Sequence, residues 1–304
     1  MRASKAIGLY VAAVILLGAL LAPWLFWAVQ LAAPRVSALH AYATYPFHRI
    51  FDRSIMLVAL AGLWPLLRAL GFCCWSDLGY VRTSAWWRHL LAGYILGVVT
   101  LALMVAVLAV FGGHRVTFTR SSGQMAGAAV KFFFVGVLVA VVEETFFRGA
   151  LQGALQRRLN VALAVVIASA VYSAVHFLKP SGVNIAANQV TWTSGGKCLV
   201  WIFTQFMCQK GVAIRFVSLF LAGCVLGLAY AKTKALYLSI GLHAGWVLVN
   251  EFVRWLATLD VTREVASWPM LVALLVLVFW LCQKVFEPLH DPALSSSGPV
   301  ARST

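Results

Sequence analysis

The chain has 304 residues, of which 62% are hydrophobic and only 11% are charged. Ordinary soluble domains have about 25% charged residues, so the composition excludes that class and indicates an all-α, polytopic membrane protein. The formal net charge of +15 is spread over all the loops, which favours contact with the lipid bilayer and argues against nucleic acid as a partner.

Eight stretches of the chain are apolar and long enough to cross a bilayer, which takes about 17 to 25 residues. The first follows Arg2 and Lys5, is long for a signal-peptide core and lacks a small-residue cleavage site, so we expect it to be retained. The sequence therefore predicts one integral membrane domain over residues 1–286. The eight predicted spans lie near residues 6–30, 55–72, 89–111, 126–150, 161–178, 214–231, 234–256 and 268–283.

Several segments between and after the predicted spans differ from them in composition. Residues 34–53 and 73–89 are rich in aromatic and basic side chains, which is typical of amphipathic segments that lie at the membrane interface. Residues 197–207 are apolar but too short to span, so they are expected to be interfacial, re-entrant or part of a cap. The polar tail 287–304 is expected to be disordered. With eight spans, the 24 Lys and Arg residues divide evenly between the two sides, so they do not orient the chain.

The fourth span ends in the stretch VVEETFFRG at residues 141–149. An acid at the membrane midplane costs about 2.5 to 3.5 kcal/mol, so two adjacent acids need partners or a function. Glu144 and Arg148 are four residues apart in the order that favours an ion pair, which could be purely structural. Glu143 points about 100° away around the helix and has no basic residue one turn later. Its apolar surroundings make it a candidate general base or acid.

The fifth span places His176 near its end. The turn between the fourth and fifth spans lies near residues 156–160, and Glu143 and His176 are each about 16 residues from its centre. In an antiparallel helical hairpin, equal separation from the turn gives equal depth, so Glu143 and His176 are predicted to face each other. A histidine in a membrane helix can also be a hydrogen-bonded core residue.

The seventh span carries His243 and Asn250, which are seven residues apart and therefore share a helix face. The small residues of the stretch GLHAG around His243 allow a neighbouring helix to approach closely. Glu251 and Arg254 are expected to form a surface pair. Three spans thus supply a carboxylate, imidazoles and an amide that could converge. A glutamate and a histidine that share a water molecule can activate it for attack on a carbonyl group. With a further hydrogen-bond donor for the oxyanion that this attack produces, they would form the active site of a hydrolase. A structural polar core is the alternative.

These motifs resemble the CAAX prenyl protease type II and bacteriocin-processing family of intramembrane proteases, also called the CPBP or Abi family. EETFFR at 143–148 matches its E-E-x-x-x-R motif at every fixed position. YSAVH at 172–176 has Tyr172 where the family's F-x-x-x-H has phenylalanine, and HAGWV at 243–247 has Val247 where its H-x-x-x-N has asparagine. The resemblance covers about residues 75–256.

The resemblance implies an intramembrane endopeptidase that cuts near the membrane-anchored or C-terminal segment of a substrate protein. The family has prokaryotic and eukaryotic members, and the short chain without appended soluble domains favours a prokaryotic cell membrane. By the same resemblance Glu143 with His176 activates water, His243 helps to bind the oxyanion, and Glu144 and Arg148 hold the helix. Two histidines and a glutamate could bind zinc, but H-E-x-x-H is absent, so a glutamic mechanism with no metal or cofactor is favoured over a zinc ion at Glu143, His176 and His243.

The departure at Val247 leaves alternatives open. Asn250, one turn further along, is the candidate substitute for the missing amide. A catalytically inactive family member would instead act as a bacteriocin-immunity or membrane scaffold protein that binds a peptide. A proton-coupled transporter is a third interpretation, which the lack of an inverted repeat disfavours.

Overall fold

The computed structural model describes residues 3–111, 120–177, 183, 185–208, 212–256, 280 and 284. Within these ranges the regular structure is helical and includes no strand, as the composition predicts. The helices are α1 (Ala3–Ala32), α2 (His40–Ala43), α3 (Phe47–Ala69), α4 (Trp86–Phe111), α5 (Ser122–Glu144), α6 (Gly153–Gln156), α7 (Val161–Val175), α8 (Ser194–Cys208), α9 (Val212–Thr233) and α10 (Tyr237–Leu256). A π-helical turn, Thr145–Gln152, joins α5 to α6.

The chain divides into two compact units. The first unit is Met1–Cys73 with Ala174–Val212, and the second unit is Cys74–Ser173 with Ala213–Thr304. The single domain expected over residues 1–286 stays a prediction.

The first unit is built on close contacts of α1 with α3 and α8. The Ser54 hydroxyl on α3 donates to the Gly18 carbonyl oxygen at 2.7 Å, and the Tyr10 hydroxyl on α1 donates to the Ala59 carbonyl oxygen at 2.7 Å. Gly195 on α8 lies so close to α1 that a Cβ there would overlap the Ala19 carbonyl oxygen. The segment expected to be too short to span is thus a 15-residue helix that packs on α1.

Five helices of the described part of the chain are long and apolar enough to cross a membrane, which confirms the prediction of an integral membrane protein. They correspond to the first four and the sixth of the predicted spans. The second begins at Phe47, so part of the segment expected at the interface is the start of α3. The five candidate spans are Lys5–Ala32, Phe47–Ala69, Trp86–Val107, Ser122–Gln156 and Val212–Thr233.

The prediction of eight spans is not confirmed, for three different reasons. Helix α7 has 15 residues, about 22 Å of length against a hydrocarbon core of about 30 Å. Helix α10 has 20 residues, but it carries His243, Asn250, Glu251 and Arg254, which lower its apolar character. The predicted span at 268–283 and the tail at 287–304 lie almost wholly outside the described residues.

In the second unit, glycines bring α4 and α10 into backbone contact. Each helix has a G-x-x-x-G spacing, with Gly93 and Gly97 on α4 and Gly241 and Gly245 on α10. A Cβ on any of the four would meet a carbonyl oxygen of the opposite helix at a distance that no side chain tolerates. Leu90 and Tyr94 face Gly241 and Gly245 in the same order, so the two helices run parallel. The close approach predicted from GLHAG is therefore present.

A short segment before α4 is fixed to the start of α10. Gly79 has a φ of +95°, a left-handed conformation that favours glycine, and its carbonyl oxygen accepts from the Leu236 amide at 3.0 Å. The Tyr237 hydroxyl donates to the Val81 carbonyl oxygen at 3.0 Å. These bonds hold residues 79–81 against the turn between α9 and α10, and so fix where α10 begins.

The close contact of α4 with α10 predicts that a glycine-to-alanine substitution lowers stability at that contact but not at an exposed helical glycine. Gly97→Ala should destabilise the protein by about 1 to 3 kcal/mol, because the added methyl group collides with the Leu242 carbonyl on α10. Gly127→Ala, on an exposed part of α5 with open space around the added methyl group, should be neutral or stabilise by up to about 1 kcal/mol. Unfolding by SDS titration in micelles measures both. Equal stabilities would contradict the close packing of α4 on α10.

Candidate functional site

The site is built where α5 passes into the π-helical turn. Helix α5 begins at a capping box, in which the Ser121 hydroxyl accepts from the Gln124 amide at 3.3 Å and the Gln124 side chain accepts from the Ser121 amide at 3.1 Å. It ends at Glu144, and the π-helical turn Thr145–Gln152 follows without a break. Single π turns inside α-helices occur frequently at functional sites.

The π-helical turn aims two polar side chains at α9. Arg148 Nη2 donates to the Gly223 carbonyl oxygen at 3.2 Å, and Gln152 Nε2 donates to the Gly227 carbonyl oxygen at 2.8 Å. Both acceptors belong to a G-x-x-x-G spacing on α9, where a Cβ on Gly227 would lie 2.7 Å from Gln152 Oε1. A helical carbonyl oxygen keeps a second lone pair for such a bond. Glycine at 223 and 227 therefore lets long polar side chains reach the α9 backbone.

Glu144 is the centre of the polar cluster. Its side chain is fully buried, and its Oε1 accepts from Arg148 Nη1 at 3.0 Å and from His243 Nδ1 at 2.8 Å. The expected ion pair between Glu144 and Arg148 is therefore present, and it is extended by His243 from α10. Both of these bonds go to Oε1, whereas Oε2 of Glu144 is buried and has no hydrogen-bond partner among the described residues.

The Glu144 contact fixes the state of the His243 ring. An ionised carboxylate only accepts hydrogen bonds, so Nδ1 of His243 must carry the proton that points at Glu144. In the neutral ring, Nε2 then bears a lone pair. Nε2 lies 3.8 Å from Oε2 of Glu143, so the two adjacent glutamates contact opposite nitrogens of one imidazole.

Glu143 differs from Glu144 in its exposure. Its side chain is 28% exposed, whereas that of Glu144 is 0% exposed and that of His243 is 6% exposed. Within this cluster Glu143 is thus the carboxylate that a water molecule and a substrate can reach.

Tyr172 on α7 closes the cluster with an aromatic wall. Its buried ring lies under the Arg148 guanidinium, with 4.5 Å between Cζ and the ring centroid. The ring meets Phe147 edge-on at 5.1 Å and His243 edge-on at 6.2 Å between centroids. A cation over a buried aromatic face is stabilised by about 2 kcal/mol or more, which helps to hold Arg148.

His176 and Asn250 are the two remaining predicted residues. His176 is half-buried just beyond the end of α7 and belongs to the first unit, so its pairing with Glu143 stays a prediction. Asn250 is exposed, and its Nδ2 donates to Oε1 of Glu251 at 3.2 Å. It lies about 10 Å along α10 from His243, and the described structure does not bring the two together. Glu251 and Arg254 form the expected surface pair, 3.8 Å apart.

A metal site would need three or more ligands in one place. Among the residues that the structure describes, no three His, Cys, Asp or Glu side chains gather closely enough to hold a metal ion. Of the three ligands considered for zinc, Glu143 and His243 lie together and His176 belongs to the first unit.

The sequence interpretation missed two contributors. Gln152 is fully buried. The only feature of the sequence that could have indicated its role is its position two turns after Glu144, but the stretch around it has the pattern of an amphipathic helix end. Tyr80 has no local signal, because its partner Thr145 is 65 residues away, at 2.6 Å between the hydroxyl oxygens. The Thr145 hydroxyl donates to the Val141 carbonyl oxygen, so Tyr80 donates to Thr145. Burial raises the pKa of Tyr80, and the negative charge of Glu144 adds to that rise, which keeps the phenol protonated.

Residues 125–249 match a protein-family model described as Type II CAAX prenyl endopeptidase Rce1-like. The matched range contains Glu143, Glu144, Arg148, Tyr172 and His243. Neither the curated proteins nor the solved structures gave a match to the chain.

The unequal burial of the two glutamates predicts unequal effects on stability. Glu144→Gln should destabilise the fold by about 3 to 5 kcal/mol, because it leaves the buried Arg148 guanidinium without a counter-charge. Glu143→Gln should change stability by less than about 1 kcal/mol, because its side chain is partly exposed. SDS titration of the two purified variants measures the difference. A more damaging change at Glu143 would reverse the roles assigned to the two acids.

Proposed function

We propose, on the premise that residues 125–249 belong to the Type II CAAX prenyl endopeptidase Rce1-like family, that this integral membrane protein is an intramembrane endopeptidase. It hydrolyses a peptide bond near the membrane-anchored or C-terminal segment of a substrate protein or peptide. The lipid bilayer is its other partner, and a prokaryotic cell membrane is its proposed location.

The observation that carries the proposal is the environment of Glu143. A partly exposed carboxylate stands 3.8 Å from a histidine nitrogen, and that histidine is held from its other side by a fully buried glutamate and arginine. Such an arrangement can place and deprotonate a water molecule in a site that bulk water does not fill. A purely structural ion pair needs only Glu144 and Arg148.

The proposed reaction is general-base hydrolysis. Glu143, with His176 as its proposed second contact, takes a proton from water as the water oxygen attacks the scissile carbonyl carbon. The resulting tetrahedral intermediate carries its negative charge on the former carbonyl oxygen. The carbon–nitrogen bond then breaks, and Glu143 returns the proton to the leaving amine nitrogen, so the carboxylate is regenerated.

We propose that this reaction proceeds without a metal ion. The Arg148 guanidinium is fixed 3.0 Å from Glu144, and its positive charge in a low-dielectric site disfavours a divalent cation nearby. A zinc ion held by Glu143, His176 and His243 is the alternative.

Metal removal tests the choice between these mechanisms. Elemental analysis by inductively coupled plasma mass spectrometry should find much less than one zinc ion per chain in the purified protein. Dialysis against 1,10-phenanthroline should leave the rate of substrate cleavage unchanged. Stoichiometric zinc, together with activity that the chelator removes and zinc restores, would establish the metal-dependent alternative.

The central test is a comparison of protein termini in cells. Terminal-peptide mass spectrometry of membranes from cells with the wild-type protein should reveal a small set of cleavages that disappear in Glu143→Gln at equal expression. Glu251→Gln is the matched control, because it makes the same change at an exposed acid on α10 and should leave every cleavage in place.

The other outcome would point to a different function. If wild-type and Glu143→Gln cells have the same termini and the same phenotype, catalysis by Glu143 is wrong. The chain would then be a binding protein, such as an immunity or scaffold protein, whose polar cluster is structural.

A further inference from the structure

A three-residue segment just before α4 contacts both of the elements that carry Glu143 and His243. It consists of residues 79–81, and we call it the bridging segment. Glu143 lies at the end of α5 and His243 lies on α10, and the proposed reaction depends on the 3.8 Å between their side chains. What holds these two elements against each other therefore bears on catalysis. The inference that follows rests on the proposed function.

The outer residues of the bridging segment hold the beginning of α10. The Gly79 carbonyl oxygen accepts from the Leu236 amide at 3.0 Å, and the Val81 carbonyl oxygen accepts from the Tyr237 hydroxyl at 3.0 Å. His243 comes seven residues after Leu236, about 10 Å further along the helix. A shift of the start of α10 would therefore move the imidazole.

The middle residue of the bridging segment holds the other element. The Tyr80 hydroxyl donates to Oγ1 of Thr145 at 2.6 Å, and Thr145 directly follows Glu144 in the chain. The Tyr80 ring meets Trp75 edge-on at 5.7 Å and Tyr237 edge-on at 6.1 Å between centroids. These two rings fix the direction of the phenol, so its hydroxyl is aimed at Thr145.

Thr145 marks the point at which α5 changes into the π-helical turn. Its amide is shared between the carbonyl oxygens of Val141 and Val142, and its hydroxyl donates to the Val141 carbonyl oxygen as well. A threonine hydroxyl that bonds the carbonyl four residues earlier competes with the backbone and often bends a helix. The regular helical pattern is thus interrupted here, and an outside contact at Thr145 helps to fix where Glu143 and Glu144 lie.

We propose that Tyr80 is a positioning residue for the hydrolysis, which sets the spacing between Glu143 and His243 through its bond to Thr145. It acts on α5 through its side chain and on α10 through its two neighbours in the chain. Removal of its hydroxyl would leave the bonds from Gly79 and Val81 to the start of α10 in place. Only the junction with the π-helical turn would be released, and the acids would move relative to the imidazole.

The first test removes one hydroxyl at a time. Tyr80→Phe should slow the appearance of the cleaved termini after induced expression by about 10- to 100-fold, because a misplacement of about 1 Å can cost about 100-fold in rate. Tyr10→Phe is the matched control, since it removes a hydroxyl that joins α1 to α3 through the Ala59 carbonyl oxygen at 2.7 Å, and it should leave the rate unchanged. Rates are normalised to the amount of folded protein. Equal rates in the two variants overturn the proposal.

A second pair of substitutions tests whether Tyr80 acts through Thr145. Thr145→Ser keeps the hydroxyl and should keep the wild-type rate, whereas Thr145→Val, which has nearly the same shape, should be about as slow as Tyr80→Phe. Combining Tyr80→Phe with Thr145→Val should slow cleavage by much less than the product of the two single effects, because both remove the same hydrogen bond. Fully multiplicative effects would mean that the two residues act independently, and would overturn the proposal.

Nuclear magnetic resonance of protein labelled with ¹⁵N-histidine in micelles observes the positioning without a substrate. The Nδ1–H signal of His243, identified by its loss in His243→Gln, reports the bond to Glu144. It should shift in Tyr80→Phe and in Thr145→Val but stay in place in Thr145→Ser and Tyr10→Phe. An unchanged signal in Tyr80→Phe would mean that Tyr80 only adds stability, and would overturn the proposal.

The failure of this proposal can be told from the failure of the proposed function. If Glu143→Gln abolishes the cleavages and Tyr80→Phe does not slow them, the protein is a protease whose reacting groups do not depend on the bridging segment. If Glu143→Gln leaves the cleavages in place, the proposed function is wrong, and the catalytic role of Tyr80 is overturned with it.

Discussion

The second unit depends on one buried carboxylate, that of Glu144. Transfer of an ion out of water costs several kcal/mol even after the protein relaxes, so the carboxylate needs strong partners. It has two, the Arg148 guanidinium at 3.0 Å and the His243 imidazole at 2.8 Å. Each partner is fixed in turn, Arg148 by the Gly223 carbonyl oxygen on α9 and His243 by its place on α10. A single charge thus joins the π-helical turn, α9 and α10.

Glycine makes this network geometrically possible. In lipid there is little hydrophobic drive to bring helices together, so they associate through close packing and hydrogen bonds, often at small residues. Pairs of glycines four residues apart occur on α4, α9 and α10. On α4 and α10 they bring two backbones into contact, whereas on α9 they admit the ends of Arg148 and Gln152 to the backbone carbonyls. The same spacing therefore serves helix packing in one place and polar side chains in the other.

Features encoded locally could be predicted from the sequence. The all-helical membrane character follows from composition, and the Glu144–Arg148 pair and the approach of a helix at GLHAG follow from spacing along one helix. The contacts of Glu144 with His243, and of Tyr80 with Thr145, join residues 99 and 65 positions apart, and no periodicity reveals such pairs. The count of eight spans is not confirmed for a related reason, because length and hydropathy do not show how long α7 is or what the polar residues of α10 contact, and the last predicted span lies almost wholly outside the described residues.

The charges of the cluster also set the order of the proposed reaction. With Glu143 and Glu144 ionised, Arg148 protonated and His243 neutral, the four side chains carry a net charge of −1. An oxyanion formed beside an ionised Glu143 would add a second negative charge to a site of low dielectric, where like charges repel strongly. Once Glu143 has taken the proton from water, the side chains are neutral in sum and the oxyanion is the only excess charge. Proton transfer to Glu143 must therefore accompany the attack of water.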